Sequence, residues 1–264
     1  MTDLIHQTFS SKKKKLVTFV TGCDPDYETS NEIIKNLILN EVDIIEIGMP
    51  FSDPMADGPT IQLSSERALK NGINLDDIFK LVSNAKEINH NLPIVLMGYY
   101  NVIFHYGIKE FAKQCASYNV DGLIIVDLQP EEDEELLKEL EKFNIHLVRL
   151  ITPTTKEQRL KLILKNATGF LYYVSIMGTT GQKSVDINEL KKSLDFIKTY
   201  TNLPILPGFG IKNASDVKNI CKFADGAVVG SSIIKIVEEN LKDKVLMIKK
   251  INDFVKELKR GTII

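Results

Sequence analysis

Glu46 stands inside the otherwise apolar run Ile44-Ile45-Glu46-Ile47-Gly48, which reads as a strand. Side chains alternate faces along a strand, so Glu46 shares its face with Ile44. If that face is interior, burial disfavours the carboxylate and lifts its pKa towards neutrality, as a general acid or base requires. On the outer face, Glu46 would simply pair with a helix lysine. The strand alone leaves both readings open, although an unpaired buried carboxylate has few structural reasons to exist. Eleven residues on, Asp57 lies in Met49-Pro50-Phe51-Ser52-Asp53-Pro54-Met55-Ala56-Asp57-Gly58-Pro59, a connection with three prolines and two aspartates. An aspartate before glycine commonly just shapes a turn, and Asp53 before Pro54 fits that role equally well. Above a buried Glu46, however, Asp57 would supply a second carboxylate over one ligand.

A second set of residues suits an anion. Gly208-Phe209-Gly210 and Gly230-Ser231-Ser232 each follow an apolar run, and the second opens a helical pattern. Glycines let backbone N–H groups approach a phosphate, and a helix N-terminus favours negative charge. Gly181, in the Gly-rich stretch Ile176 to Ser184, could add another N–H. The alternative is that these glycines only make tight turns. Tyr99, Tyr100, Tyr172, Tyr173 and Phe209 fall near strand ends, where Tyr172 and Phe209 could sandwich a flat ring or merely pack the core.

Other chemistries find no support. No lysine ends the sixth apolar run, so a Schiff-base nucleophile is not evident. His6, His90, His105 and His146 are scattered, with His90 and His105 expected in connections, and none has metal-ligand company. There is neither a Gly-x-Ser-x-Gly elbow nor a P-loop. Carbon–carbon cleavage here would rely on acid–base groups and an electron sink in the substrate itself.

The elements that must position these residues follow from periodicity. Leu16–Val20, Ile44–Gly48, Ile94–Met97, Leu123–Val126, Ile145–Leu150, Phe170–Val174, Pro204–Leu206 and Ala227–Val229 are near-continuous apolar runs, as parallel strands covered on both faces should be. Amphipathic stretches at Asn31–Leu39, Glu131–Phe143 and Leu160–Lys165 read as helices between them. Eight strand–helix units of about 33 residues predict an α/β fold, a (β/α)₈ TIM barrel with extra helices, in one domain over 1–264. An open doubly wound sheet is disfavoured because no Gly-x-Gly-x-x-Gly follows the first strand. Such barrels carry their chemistry on loops leaving the C-terminal strand ends, with phosphate after strands seven and eight.

Composition narrows the classes further. The 264 residues carry 33 basic and 35 acidic side chains, a net charge of −2 that gives no footprint for nucleic acid. The one basic cluster, Lys12 to Lys15, reads as a solvated turn before the first strand. Cys23, Cys115 and Cys221 have neither metal nor disulfide spacing, and no leader-like or bilayer-length apolar segment is visible. A cytoplasmic protein is expected.

The stretch Glu46-Ile47-Gly48-Met49-Pro50-Phe51-Ser52-Asp53-Pro54-Met55-Ala56-Asp57-Gly58-Pro59-Thr60-Ile61-Gln62 resembles the signature of the tryptophan synthase alpha subunit family. The resemblance spans essentially the whole chain. It takes in Phe19-Val20-Thr21 with Asp24-Pro25, Tyr99 with Asn101, Tyr172 through Gly181, Gly208-Phe209-Gly210-Ile211 and Gly230-Ser231. It implies a barrel lyase that splits indole-3-glycerol phosphate into indole and glyceraldehyde 3-phosphate, late in tryptophan biosynthesis. Glu46 and Asp57 would be the catalytic pair. Gly181, Gly210, Gly230 and Ser231 would bind phosphate, and Phe19, Ile61, Ile124, Tyr172 and Phe209 would line the indole pocket. Thr180 would meet Asp57 when its loop closes. The resemblance implies no metal and no organic cofactor in this subunit. It also implies a beta-subunit partner that carries pyridoxal phosphate, receives indole through a tunnel in an α₂β₂ tetramer, and faces the loop around Asp53.

The chain departs from common versions of the pattern at Cys23, where glycine usually stands, at Thr179, at Gln129 within Asp127-Leu128-Gln129-Pro130, and at Met97-Gly98. The chain contains no tryptophan, which suits but does not establish a tryptophan-making role. Two alternatives remain at this stage: another phosphate-binding TIM-barrel enzyme, and a non-catalytic activating subunit. The first sits poorly with the spacing of Glu46 and Asp57, and the second with the presence of both.

Overall fold

The structure is a computed structural model and describes residues 3–174, 187–208 and 210–263. In chain order the first half runs α1 (Leu4–Ser10), β1 (Lys15–Thr21), α2 (Tyr27–Leu39), β2 (Ile44–Gly48), α3 (Pro59–Lys70), α4 (Leu75–Ile88), β3 (Ile94–Gly98), α5 (Tyr100–Tyr106), α6 (Ile108–Ser117), β4 (Gly122–Ile125) and α7 (Glu134–Glu141). The second half runs β5 (His146–Leu147), β6 (Arg149–Ile151), α8 (Glu157–Leu164), β7 (Leu171–Val174), α9 (Ile187–Lys198), β8 (Ile205–Gly208), α10 (Ala214–Cys221), β9 (Gly226–Val229), α11 (Ser231–Glu239) and α12 (Lys244–Gly261).

The strands form one parallel sheet ordered β5-β4-β3-β2-β1-β9-β8-β7-β6. Its two outer members are halves of one interrupted strand. β5 pairs with β4, β6 pairs with β7, and Val148 between them donates its N–H to Leu123 O at 2.9 Å. The sheet therefore wraps round to meet itself as a (β/α)₈ barrel. The sequence predicted an unbroken fifth strand over Ile145–Leu150; the ladder instead changes partner at Val148.

Alternation separates two apolar layers. Val17, Ile44, Val95, Ile124, Val148, Leu206 and Val228 point inward, one from each of seven of the eight strand positions, and Phe170, just before β7, joins them. Leu16, Val20, Ile45, Ile47, Leu96 and Leu123 point outward into the shell of helices. Because the inner layer contains Ile44 and the outer contains Ile45 and Ile47, Glu46 points into the barrel. The residue before β7 and the helix α1 close the floor: Ile5 of α1 is fully buried in the inner layer, and Asp3 caps that helix by accepting from His6 N–H.

Helix starts follow local chemistry. Asp26 caps α2 through Thr29 N–H, which starts the helix at Tyr27 rather than at the predicted Asn31. Pro59 occupies the first turn of α3, where its missing N–H costs nothing. Asn74 and Asp77 form a reciprocal capping box on α4. α7 and α8 are shorter than or offset from their predicted bounds, and His105, expected in a connection, lies in α5. Lys15 is also no solvated turn residue. It begins β1, is 5% exposed, and its Nζ donates to Ser11 Oγ at 2.8 Å.

Candidate active site

Glu46 is wholly buried, beside Phe19 of β1 and Val95 of β3 in the strand register. Neither Oε1 nor Oε2 has a hydrogen-bond partner among the described residues. With desolvation alone acting on it, the carboxyl is pushed up to about 8. At neutral pH it holds its proton and can still give it up. An outward glutamate paired with lysine is thereby ruled out.

Asp57 hangs over the same end of the barrel from the β2–α3 connection. Burial raises its pKa, and a hydrogen bond from the Tyr99 hydroxyl to Oδ2 at 3.1 Å opposes that rise. The phenol of Tyr172 in β7 sits within the field of both Glu46 and Asp57, and burial with those two charges holds it well above the usual phenol range. A fully buried acid, a partly buried carboxylate and a tyrosine thus converge from β2, its loop and β7.

A cleft of about 510 Å³ opens between them, lined by Asp57, Ile61, Met97, Val126, Leu150, Tyr172 and Gly208 among others. Its apolar floor suits a flat aromatic ligand, while Arg149, Arg159, Thr152, Thr154 and Thr155 make one side polar. Space for the Tyr172 ring depends on Gly208, because a Cβ there would lie 2.3 Å from Tyr172 Oη. Phe19 is wedged similarly. A Cβ on Gly48 would meet its Cζ at 2.7 Å, and one on Gly230 its Cβ at 3.0 Å.

The predicted site residues divide by depth. Asp57, Ile61 and Tyr172 line the open cleft, whereas Glu46, Phe19 and Ile124 form the buried layer beneath it. Val126, two residues beyond Ile124, takes the exposed position. Gly230 and Ser231 open α11 with no side-chain cap; the helix bonds begin with Ile233 N–H to Gly230 O at 2.8 Å, so among the described residues the N–H groups of Ser231 and Ser232 have no acceptor and suit an anion. Gly210 has φ +70°, a left-handed conformation suited to glycine, so the tight-turn reading holds there as well. Thr180, Gly181 and Phe209 lie outside the described residues.

Sequence reasoning assigned no role to three features of this rim. Tyr99 reaches across from the end of β3 to the Asp57 loop. Arg149 of β6 and Asp133 form a buried ion pair, while Arg159 of α8 binds Glu131 and Gln129, and together these fix the β4–α7 connection along one wall. Asp24 and Arg67 pair at 2.8 Å and tie the β1–α2 turn to α3. Each involves residues far apart in sequence, and the available signal was only a polar residue beside a strand end.

A larger cavity, about 640 Å³, lies at the opposite end of the barrel. In it Lys86 pairs with Asp121 at 2.6 Å and His146 Nε2 lies in hydrogen-bond contact with Asp3 at 2.9 Å. Among the described residues no group of three or more His, Cys, Asp or Glu side chains could hold a metal ion, and no helix is long and apolar enough to cross a membrane.

Known proteins share this arrangement. A family model described as tryptophan synthase alpha chain matches residues 5–263. A tryptophan synthase alpha chain of Petrotoga mobilis is 45% identical over 255 residues, covering 97% of this chain and 98% of the relative. The crystal structure of tryptophan synthase subunit alpha from Legionella pneumophila superposes with a TM-score of 0.91 at 33% identity, covering 99% of each chain. A tryptophan synthase structure from M. tuberculosis in an aminoacrylate-bound form gives 0.88 at 26% identity, covering 99% of this chain and 100% of that one. With the family model spanning nearly every residue and the barrel the same, this chain belongs to the tryptophan synthase alpha chain family, whose members cleave indole-3-glycerol phosphate to indole and glyceraldehyde 3-phosphate.

Proposed function

We propose that Glu46 and Asp57 perform that cleavage in this chain. The observation that carries the assignment is the fully buried Glu46, whose oxygens find no partner among the described residues and whose pKa burial lifts to about 8. Its proton goes to indole C3, giving an indolenine cation. Asp57, ionised beside the ring nitrogen, stabilises the positive charge there. The Glu46 carboxylate then takes the proton of the side-chain hydroxyl adjacent to the scissile bond. The hydroxyl oxygen becomes the aldehyde, the carbon–carbon electron pair returns to the ring, and indole leaves. Protons balance, since Glu46 ends as it began. The indolenine is the electron sink, so no cofactor of this subunit enters the steps.

Tyr172, Ile61, Phe19, Phe209 and the layer at Ile124 would hold the indole ring. The phosphate would rest on N–H groups of Gly181, Gly210, Gly230 and Ser231, supported by the uncapped start of α11. Thr180 would engage Asp57 on loop closure. Chain 1–264 would act as one domain in the cytoplasm, in keeping with its three free buried cysteines. Its partner would be a beta subunit carrying pyridoxal phosphate, in an α₂β₂ tetramer. The solved M. tuberculosis relative is named as tryptophan synthase, and Met55 and Phe104 here expose 86% and 65% of their surface beside the Asp53 loop and on α5.

The test is indole release from indole-3-glycerol phosphate by wild type and Glu46→Gln, with and without a beta subunit. Loss of an acid–base group is expected to cost on the order of 10²–10⁴ in kcat with folding intact. Turnover by Glu46→Gln at the wild-type rate would overturn the assignment.

A further inference from the structure

Tyr99 occupies the junction between β3 and α5, is 3% exposed, and packs its ring against that of Phe51, centroids 5.3 Å apart and planes tilted by 33°. Its hydroxyl makes two bonds to consecutive residues of the β2–α3 connection. It accepts the Ala56 N–H at 2.9 Å and donates to Asp57 Oδ2 at 3.1 Å. A hydroxyl does both from one atom, accepting from the Ala56 N–H and donating to the carboxylate, which a phenylalanine ring there could not. Ala56 and Asp57 lie in a segment without regular structure, with Met55 N–H to Asp53 O and Asp57 N–H to Pro54 O as its local backbone bonds. Tyr99, by contrast, is anchored by the strand, by its ring contact and by the neighbouring Tyr100 N–H, which donates to Asp127 Oδ1 at 2.8 Å.

We infer that Tyr99 is the positioning residue for Asp57: its hydroxyl fixes the carboxylate over the cleft, where the ring nitrogen of the substrate would lie. The inference rests on the proposed role of Asp57. A carboxylate on a loop would otherwise sample several rotamers, and catalysis depends on its being held where charge develops.

The surrounding groups leave this task to Tyr99. Facing Asp57 is Tyr172 from β7, which also lies within the field of Glu46 from β2. Facing Tyr99 are Asp57 and Asp127. None of these is a cation, and among the described residues Tyr99 is the one side chain that donates to the Asp57 carboxylate, while Gln62 Nε2 donates to the Asp57 backbone carbonyl at 2.8 Å. Burial works against ionisation of Asp57, and the Tyr99 hydrogen bond works for it. Tyr99 itself keeps its proton at any working pH, since burial and then Asp57 push its pKa far up.

The experiment uses Tyr99→Phe in the full chain, with the beta subunit present for the activity arm. The variant keeps the ring and the Phe51 contact, and circular dichroism should match wild type. Indole release should fall about tenfold or more through kcat, with KM little changed, because a hydrogen bond to a charged group is lost. The acidic limb of the rate–pH profile should move up by roughly one unit, since Asp57 without its donor protonates more readily. Tyr99→Phe added to Asp57→Asn should cost almost nothing further. Independently of turnover, a carbon-13 carboxylate titration of Asp57 should show the same upward displacement. A rate–pH profile and titration that coincide with wild type, or a loss that simply adds to that of Asp57→Asn, would overturn the inference. If wild type releases no indole while the titration still moves, the lyase assignment fails and the Tyr99–Asp57 coupling stands.

Discussion

Burying Glu46 has a thermodynamic signature that can be read without substrate. Its folded pKa of about 8 lies above the ordinary value of 4.5, so folding favours the protonated form. A raised carboxyl pKa costs nothing well below 4.5, costs progressively more as pH rises towards 8, and levels off above that. The loss is at most about 1.4 kcal/mol per pH unit within this window. Glu46→Gln, which cannot ionise, should therefore gain on wild type between pH 5 and about 8 and hold a constant gap beyond. Urea midpoints measured across pH would check this, and a gap independent of pH would show that Glu46 is ionised at no such cost. Cys23 offers a second residue-scale test. It holds φ +62° where glycine usually stands in the family pattern, yet its side chain is fully buried. Relief of the left-handed conformation in Cys23→Gly is worth roughly 1–2 kcal/mol, and losing the buried side chain costs about as much. The variant should stay within about 1 kcal/mol of wild type, whereas a β-branched Cys23→Val should lose a further 1–3 kcal/mol. Thermal melts would distinguish the two.

At the scale of elements, two glycines at strand termini separate fold from function. A Cβ on Gly226 of β9 would lie 2.3 Å from Lys15 O, a backbone atom of β1 that cannot rotate away. Gly226→Ala should thus strain the β1–β9 ladder and destabilise by about 3 kcal/mol. At Gly208 of β8 the obstacle is the Tyr172 ring, so Gly208→Ala should displace that ring within the cleft and lower kcat/KM on the order of a hundredfold. Its melting temperature should fall less than that of Gly226→Ala; the reverse ranking would refute this division. The strands bearing these glycines were legible in the sequence because parallel strands covered on both faces read as unbroken apolar runs. Glu46 was legible for the same reason, as the lone charge in such a run, and only its facing had to await the alternation of Ile44 against Ile45. Helix starts were less legible: Asp26 begins α2 by accepting one backbone bond, a cap that hydrophobic periodicity does not register. Tyr99, Arg149 and Asp133 were not legible at all in their roles, since each acts on a partner brought near only by closing the barrel.

On the scale of the whole molecule, the two ends of the barrel have different work. Carboxylates, cleft and uncapped α11 gather at the C-terminal strand ends, while the opposite end is occupied by α1 and paired charges. Ile5 from α1 enters the inner layer with Val17, Ile44 and Phe170 and passes close to Gly122 and Gly169, whose Cβ atoms would come within 3.2 and 3.5 Å of it. The side chain is thus a plug in the barrel floor, and α1 is too short to persist without it. Ile5→Ala would leave a cavity that a rigid barrel cannot collapse to fill, at about 2–5 kcal/mol. Asp57, Ile61 and Tyr172 line the cleft at the other end, and between Ile5 and that cleft stands the inner apolar layer, against whose upper side Tyr172 packs. Stability and catalysis should therefore come apart. Ile5→Ala should melt well below wild type, yet at temperatures where both are folded its kcat and KM for indole release should match. Should kcat fall in step with stability, the inner layer transmits the floor's packing to the catalytic rim, and the separation of the two ends would be wrong.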